Sequence, residues 1–156
     1  MLSVAVEGIS DEAVVRRLCA YAGVEIATVF VAGGKPKLDV RLGGFNHSAH
    51  HRPWLVLRDL DSDAECAPTL RRKLLPNPAV GMQLRIPVTA VEAWLLADRV
   101  RIAQFLGISP AVVPDRPDTL ARPKRTLVDL AQRSRKRGIR EDFVPRPGSA
   151  RELGPG

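Results

Sequence analysis

The chain has 156 residues and is 45% hydrophobic, which is enough for the core of one ordinary domain and excludes a disordered tail. Its formal net charge is +7, and the excess is local: residues 1–98 hold 11 basic and 11 acidic side chains, whereas residues 99–156 hold 13 and 6. No stretch reaches the roughly 18 apolar residues of a membrane span, and the N-terminus lacks a signal-peptide pattern, so we expect a cytoplasmic protein. The basic excess suits a polyanionic partner such as nucleic acid, although a solubilising surface explains it equally well.

The first segment, LSVAVEG, has the alternation and β-branched residues of a strand and ends at Glu7. A helix follows, for which Ser10 is the expected cap, while Asp11 and Glu12 are favourable in its first turn. From the helical spacing, the face expected to be buried holds Val14, Leu18 and Tyr21. Tyr21, the only tyrosine, is therefore assigned to the core rather than to nucleophilic catalysis.

The next segments predict a second strand, a short helix and a third strand. EIATVFVAGG reads as the second strand, and a short helix is predicted to begin near Leu38 and to give way to a loop rich in Gly and His. The histidines of that loop lack the cysteine or acidic neighbours of a zinc site. WLVLRD, residues 54–59, is a continuous apolar strand of the kind that is covered on both faces.

The remaining segments complete an α/β pattern. CAPTLRRKLL suits a helix, GMQLRIPV a fourth strand, and TAVEAWLLADRVRIAQFLG one or two helices that end at Gly107. Alternating strands and helices predict a Rossmann-like, mostly parallel four-stranded sheet flanked by helices, with ligand sites at the carboxyl ends of the strands. Residues 1–98 form the predicted core. Residues 99–156 form a basic, Pro-rich extension packed on the same domain, with one basic helix, KRTLVDLAQRSRKRG, and an irregular tail.

Carboxylates follow two of the predicted strands where each strand ends. Glu7 ends the first strand, Asp59 and Asp61 follow the third, and Asp63 either joins them or caps the next helix. Neighbouring first and third strands would bring these acids to one edge, where they repel one another unless a proton or a cation neutralises them. Mg²⁺ (or Mn²⁺) prefers such oxygen ligands, so the pattern predicts a divalent metal site, against the alternative of a solvated acidic turn.

VAVEGISDE together with LVLRDLDSD resembles the Toprim fold, which topoisomerases, bacterial primases, recombination proteins and the overcoming-lysogenization-defect nucleases share. VTAVEAWLLAD is similar to small stand-alone Toprim-like bacterial proteins, some of them near genome-defence genes. The resemblance implies phosphodiester chemistry on nucleic acid, with DNA favoured over RNA, in phage defence or DNA repair. It also leaves a homodimer and a partner ATPase open, because small Toprim proteins often work in one of these two ways.

The resemblance implies roles for individual acids by position. Glu7 would be the general acid or base and a metal neighbour, and Asp59 and Asp61 would hold Mg²⁺. Asp11 and Glu92 match further acids of the related nucleases and would complete a set of carboxylates large enough for two metals. Asp11 is explained equally well by the helix dipole, whereas Glu92 has apolar neighbours, among which an unpaired carboxylate would be costly.

Basic residues are the remaining candidates. Lys124 matches a lysine of the related nucleases that stabilises the charge of the transition state, but phosphate binding and simple solvation are open alternatives. Lys35 contacts a phosphate or is a solvated turn residue. A stripe that binds the nucleic-acid backbone without base specificity is predicted to comprise Arg133, Arg135, Lys136 and Arg137.

The leading hypothesis from these residues is a Mg²⁺-dependent, Toprim-type nuclease or related phosphodiester-processing enzyme. The alternative is a non-catalytic Toprim-fold module that binds nucleic acid or protein within a larger defence complex. A small-molecule phosphatase with a catalytic D-x-D is disfavoured, because that chemistry generally places its nucleophilic Asp on the first strand, which here ends at Glu7.

Overall fold

The structure, a computed structural model, describes residues 1–149 and divides into two compact units. The first unit is Met1–Val91, and the second begins at Glu92. The division assigns Glu92 to the second unit, whereas the sequence pattern placed it within the predicted core of residues 1–98.

The first unit contains one four-stranded sheet in which every pairing is parallel. Its strands are β1 (Leu2–Val6), β2 (Ile26–Val31), β3 (Trp54–Leu57) and β4 (Met82–Arg85). Their order is β2-β1-β3-β4, so β1 and β3 lie side by side in the centre of the sheet. The predicted Rossmann-like α/β fold is confirmed, and the first and third strands are adjacent in the sheet, as expected.

Helices cover both faces of this sheet. They are α1 (Ile9–Tyr21), α2 (Lys35–Ser48) and α3 (Ala67–Leu74). Successive side chains of β1 point to opposite faces: Val4 and Val6 belong to one buried cluster with Val15 of α1. Ala5 belongs to the other cluster, with Leu38 of α2. Both faces are therefore apolar, and polar chemistry is left to the strand ends.

The predictions for α1 were wrong in two details. Gly8, rather than Ser10, is the N-cap of the helix. The buried residues are Asp11, Val15 and Cys19 instead of Val14, Leu18 and Tyr21. Two apolar stripes lie side by side on this helix, and its packing against β1 and β2 selects one of them. Tyr21 is 88% exposed, so its assignment to the core was wrong.

The start of α2 also differs from the prediction. The helix begins at Lys35, before the predicted start near Leu38, with Pro36 in the first turn, where a missing N–H costs little. It continues through Gly43 and Gly44 to Ser48. Buried Leu38 and Leu42 lie one helical turn apart, and their packing on the sheet outweighs the low helix propensity of glycine. Lys35 therefore lies at the head of a helix rather than in a turn.

The described part of the second unit is helical. Its α-helices are α4 (Val91–Ala97), whose first residue is the last of the first unit, α5 (Arg99–Leu106), α6 (Pro123–Gln132) and α7 (Arg137–Phe143), with single 3-10 turns at Pro110–Val112 and Pro117–Thr119. Leu96, Leu106 and Leu127 belong to its own buried core. Gly107 ends α5, as predicted, and its backbone is left-handed. Within residues 1–149, no helix has the length and apolarity needed to cross a membrane.

The basic segment of the second unit is not one helix. Residues 133–136 lie between α6 and α7. Ser134, which is buried, donates a hydrogen bond to the carbonyl of Leu106 and accepts one from the Lys136 N–H at 2.9 Å. These bonds hold the chain in a turn and separate the two helices. Residues 144–149 contain neither helix nor strand, as predicted, and the rest of the predicted tail lies outside the described residues.

Candidate active site

The central feature of the first unit is the meeting of Glu7 with Asp59. Glu7 directly follows β1 and Asp59 follows β3 after one residue, and these strands are parallel neighbours. The Glu7 Oε1 atom accepts a hydrogen bond from the backbone N–H of Asp59 at 2.9 Å, across 52 positions of sequence. The Glu7 side chain is 16% exposed. The predicted convergence of acids at the carboxyl edge of the sheet is therefore present for this pair.

The surroundings of Glu7 favour its protonated form. Burial raises the pKa of its carboxyl above the ordinary value of 4.5, and the charges of Asp11 and Asp61 add to the rise. The hydrogen bond from Asp59 and the positive charge of Arg58 act in the opposite direction without cancelling it. A carboxyl with a raised pKa at a strand end is better suited to exchange a proton than an exposed Glu.

Asp11 lies at the same edge but has a local structural role. Its Oδ2 atom accepts a hydrogen bond from the backbone N–H of Gly8 at 2.8 Å. The bond satisfies a donor at the N-terminus of α1, where a carboxylate is also favoured by the helix dipole. The capping alternative for Asp11 is thus observed, and its charge still contributes to the field at Glu7.

Asp61 is held in an uncommon backbone conformation. Its φ angle is +46°, in the left-handed region, and Thr89 in the loop after β4 also has a positive φ of +58°. The Asp61 N–H donates to the Thr89 carbonyl at 3.1 Å, which joins these two loops. Such conformations cost free energy and persist where the surrounding structure enforces them, often at functional sites.

Lys35 neutralises Asp61 and Asp63, two of the three aspartates in the loop after β3. Its Nζ atom lies 2.9 Å from Asp61 Oδ2 and 3.1 Å from Asp63 Oδ2. The hydrogen bond with Asp61 and that with Asp63 raise the pKa of Lys35, so its ammonium stays charged. Asp63 therefore forms an ion pair with Lys35. It does not cap the next helix, because the N-cap of α3 is Cys66. The solvated-lysine alternative does not hold, because Lys35 pairs with Asp61 and Asp63, and its predicted phosphate contact stays a prediction.

Arg58 connects the cluster and was missed by sequence reasoning. Its side chain is only 5% exposed and forms a two-pronged contact with Asp39 of α2, at 3.3 Å and 3.1 Å. It also lies 2.6 Å from Asp63, donates to the Asp59 carbonyl and lies 3.9 Å from Glu7. The signal available in the sequence was an arginine placed directly between an apolar strand and the first aspartate of the segment. Asp39 carried no such signal.

A cleft of about 330 Å³ opens beside these side chains in the first unit. Its charged lining residues are Lys35, Asp39, Arg58, Asp63 and Lys73, and its apolar ones are Pro36, Leu70 and Leu74. The cleft is therefore lined by ion-paired side chains on one part of its wall and by apolar side chains on another.

Glu92 and Lys124 contact each other in the second unit. Glu92 is 2% exposed in α4, and the Lys124 Nζ atom of α6 lies 3.7 Å from its Oε1 atom. This contact compensates the buried carboxylate, as the sequence required of any Glu in that apolar context. The predicted metal role of Glu92 and transition-state role of Lys124 stay predictions.

The four basic residues of the predicted backbone-binding stripe differ in their surroundings. Arg133 and Arg135 are exposed in the turn between α6 and α7. The Lys136 Nζ atom instead donates to the carbonyls of Gln104 and Phe105 at the end of α5, at 3.0 Å and 2.8 Å. Arg137 pairs with Glu141 one turn along α7. Arg133 and Arg135 are thus the better placed of the four to contact phosphates.

The acidic side chains of the first unit carry oxygen atoms of the kind that bind a hard divalent cation. Carboxylates outnumber cations: the acids are Glu7, Asp11, Asp39, Asp59, Asp61 and Asp63, and the cations are Lys35 and Arg58. Oxygen donors with excess negative charge are what Mg²⁺ and Mn²⁺ prefer. Over residues 1–149, however, no group of three or more His, Cys, Asp or Glu side chains is arranged to hold a metal ion. Asp61 and Asp63 contact the ammonium of Lys35.

The fold and the site together define a Rossmann-like α/β domain with an acidic cluster at the carboxyl edge of a parallel sheet. Comparison of the chain with protein-family models, with curated proteins and with solved structures gave no significant match.

Proposed function

We propose that this protein is a Toprim-like, Mg²⁺- or Mn²⁺-dependent nuclease, or a closely related phosphodiester-processing enzyme that acts on DNA. The observation that supports the proposal most directly is the contact between Glu7 and Asp59, which unites the strand-end Glu and the D-x-D segment at one sheet edge. Ligand sites of parallel sheets lie at this edge.

Glu7, Asp59 and Asp61 are the residues that would hold the metal. Their oxygens suit a hard cation, and the neighbouring carboxylates that raise the pKa of Glu7 create the negative field that a cation would relieve. When bound, Mg²⁺ supplies Lewis-acid stabilisation of the charge that develops on phosphate oxygens. Asp11 is a second-rank ligand, since it already has a structural contact.

The side chains of this chain supply the other parts of the reaction. Glu7 accepts or donates the proton, because its raised pKa brings the carboxyl closer to neutral pH than that of an exposed Glu. Arg133 and Arg135 contact the phosphate backbone without reading bases, which makes binding dependent on salt.

A cleavage assay on plasmid and oligonucleotide DNA, with Mg²⁺ and with Mn²⁺, tests the proposal. Glu7→Gln and Asp59→Asn remove charge with little change in shape, and each should lower the cleavage rate by about 100-fold or more. Glu65→Gln is the matched control, because it removes an exposed carboxylate from the same loop and should cleave like the wild type. Equal rates for all four proteins would contradict the proposed site.

A second candidate is a non-catalytic module that binds nucleic acid or protein. The observation that favours it is the pairing of Lys35 with Asp61 and Asp63, which neutralises carboxylates without a metal. This candidate predicts DNA binding that weakens steeply with salt and DNA that stays intact in Mg²⁺ and Mn²⁺. Cleavage that depends on Glu7 excludes it.

A further inference from the structure

We propose that the cleft of the first unit binds one unpaired nucleotide of a DNA strand, with Lys73 on the phosphate and the apolar part of the wall against the sugar and base. The inference rests on the proposed function and names the form of its substrate, which is single-stranded DNA or a strand with unpaired bases. It also adds a phosphate contact in the same unit as the candidate catalytic acids.

The charges that line the cleft leave one cation without a partner. Arg58 pairs with Asp39 at 3.1 Å and with Asp63 at 2.6 Å, and Asp63 also pairs with Lys35. Within residues 1–149, Lys73 forms neither an ion pair nor a side-chain hydrogen bond, and it is exposed. The three cations and two acids of the lining therefore leave one positive charge, which matches the single negative charge of a phosphodiester.

Another part of the cleft wall is apolar and is formed by Pro36, Leu70 and Leu74. Leu70 and Leu74 are one turn apart in α3, and Lys73 is three residues after Leu70, so the cation flanks the apolar wall on the same helix. A cation beside an apolar wall matches a phosphate beside its sugar and base. The volume of about 330 Å³ is at the lower end for small-ligand sites and favours one nucleotide over several.

A concave site of this kind takes a nucleotide only when its base is unpaired. In a duplex the bases are stacked and paired, so a protein surface reaches the phosphates and the groove edges but not the face of a base. A single strand can turn one base into the cleft while the phosphate stays at Lys73. The apolar wall, rather than the charge, therefore distinguishes a single strand from a duplex.

The cleft adjoins the acids of the sheet edge. Arg58 lines the cleft and also lies 3.9 Å from Glu7. Lys35 lines it as well and lies 2.9 Å from Asp61. A nucleotide held in the cleft therefore places a neighbouring phosphodiester bond beside these acids, and such positioning favours reaction at that bond.

Fluorescence anisotropy of the full chain in EDTA measures DNA binding without cleavage. The probe is a fluorescein-labelled oligonucleotide, used as a single strand and after annealing to its complement. The wild type should bind the single strand at least about fivefold more tightly than the duplex, which is the lower end of what packing of one base provides.

Variants of the cleft separate its charge from its apolar wall. Lys73→Gln should reduce the slope of log K against log salt for the single strand by about 0.7, the value for one phosphate. Arg71→Gln is the matched control, because it removes an exposed charge from the opposite flank of the same helix and should leave the slope unchanged. Leu74→Ala shortens the apolar wall and should abolish the preference for the single strand without changing the slope. Pro36→Ser, at an exposed position of the wall, repeats this test if Leu74→Ala does not fold.

The outcomes separate this inference from the proposed function. A single-strand preference that Lys73→Gln and Leu74→Ala reduce, and that Arg71→Gln retains, supports the cleft as the binding site whether or not the protein cleaves DNA. Equal affinity of the wild type for both forms, no binding of either form, or equal losses in Lys73→Gln and Arg71→Gln overturn it. Cleavage that depends on Glu7 but shows no preference for the single strand leaves the nuclease standing and overturns the role of the cleft.

Discussion

The Oε1 atom of Glu7 accepts a hydrogen bond from the backbone N–H of Asp59 at 2.9 Å. Glu7, which follows β1, therefore helps to position the loop that follows β3. The bond uses the main chain of Asp59 rather than its carboxylate. It also links proton binding at Glu7 to the conformation of the loop that carries Asp61 and Asp63.

Glu7 makes stability depend on pH in a definite direction. Its pKa is higher in the folded protein than the ordinary 4.5, so the folded state binds more protons than the unfolded state between these two pKa values. The contribution of Glu7 is therefore present at low pH and is lost as the pH rises from about 4.5 through the folded pKa. Glu7→Gln keeps an acceptor for the Asp59 N–H and does not titrate.

We expect the stability of Glu7→Gln relative to wild type to increase as the pH is raised over that window. Urea denaturation of both proteins in metal-free buffer, from pH 4 to about pH 7, measures the difference. Titration of other groups, including Asp63, is common to both proteins and cancels in the comparison. A difference that is constant with pH would show that the pKa of Glu7 is not raised.

Arg58 should be the largest single contributor to the stability of the cluster. Arg58→Met removes a buried guanidinium that contacts Asp39 and Asp63 and should lower the free energy of unfolding by roughly 3 kcal/mol. Arg58→Lys keeps the positive charge but cannot contact Asp39 through two nitrogens, so its loss in the free energy of unfolding should be intermediate. Urea denaturation measures all three proteins. Arg17→Met on the exposed face of α1 is the control and should change stability by no more than about 0.5 kcal/mol.

The backbone of Asp61 predicts an unusual ranking of substitutions. At a φ of +46°, Ala is strained and Gly is not, so Asp61→Gly should be more stable than Asp61→Ala by about 1 kcal/mol. Both variants lose the contact with Lys35, so their difference reports the backbone alone. Asp63 lacks a positive φ, and there the ranking should reverse, with Ala more stable than Gly. The same ranking at both positions would contradict the strained conformation.

The basic residues of the second unit should separate into two groups. Arg133→Gln and Arg135→Gln should each weaken DNA binding and reduce the slope of log K against log salt by about 1, because each removes a charge available to a phosphate. Lys136→Gln should lower the melting temperature instead, since it loses two bonds to the end of α5. Arg101→Gln, an exposed control in the same unit, should alter neither quantity. Equal salt slopes for all variants would place the DNA contact elsewhere.

The sequence alone determined the sheet and the meeting of its acids. Strands that alternate with helices require parallel crossovers, and the carboxyl ends of parallel strands lie at one edge. For that reason Glu7 and Asp59 could be placed at one edge from their strand-end positions, and their contact then required the first and third strands to be neighbours, as they are. The stop of α5 at Gly107 followed from local chemistry in the same way, because only a residue without a Cβ adopts the left-handed cap at no cost.

Only the tertiary structure decided which other side chains reach that edge. Gly34 and Pro36 are compatible with a helix start at Lys35, but the packing of Leu38 and Leu42 against the sheet stabilises the helix from that residue. That packing brings Lys35 to Asp61 and Asp39 to Arg58, contacts that are set by distances across elements rather than by spacing along the chain. The buried stripe of α1 was undecidable for the same reason, since side chains compete for a core whose position the sequence pattern does not contain.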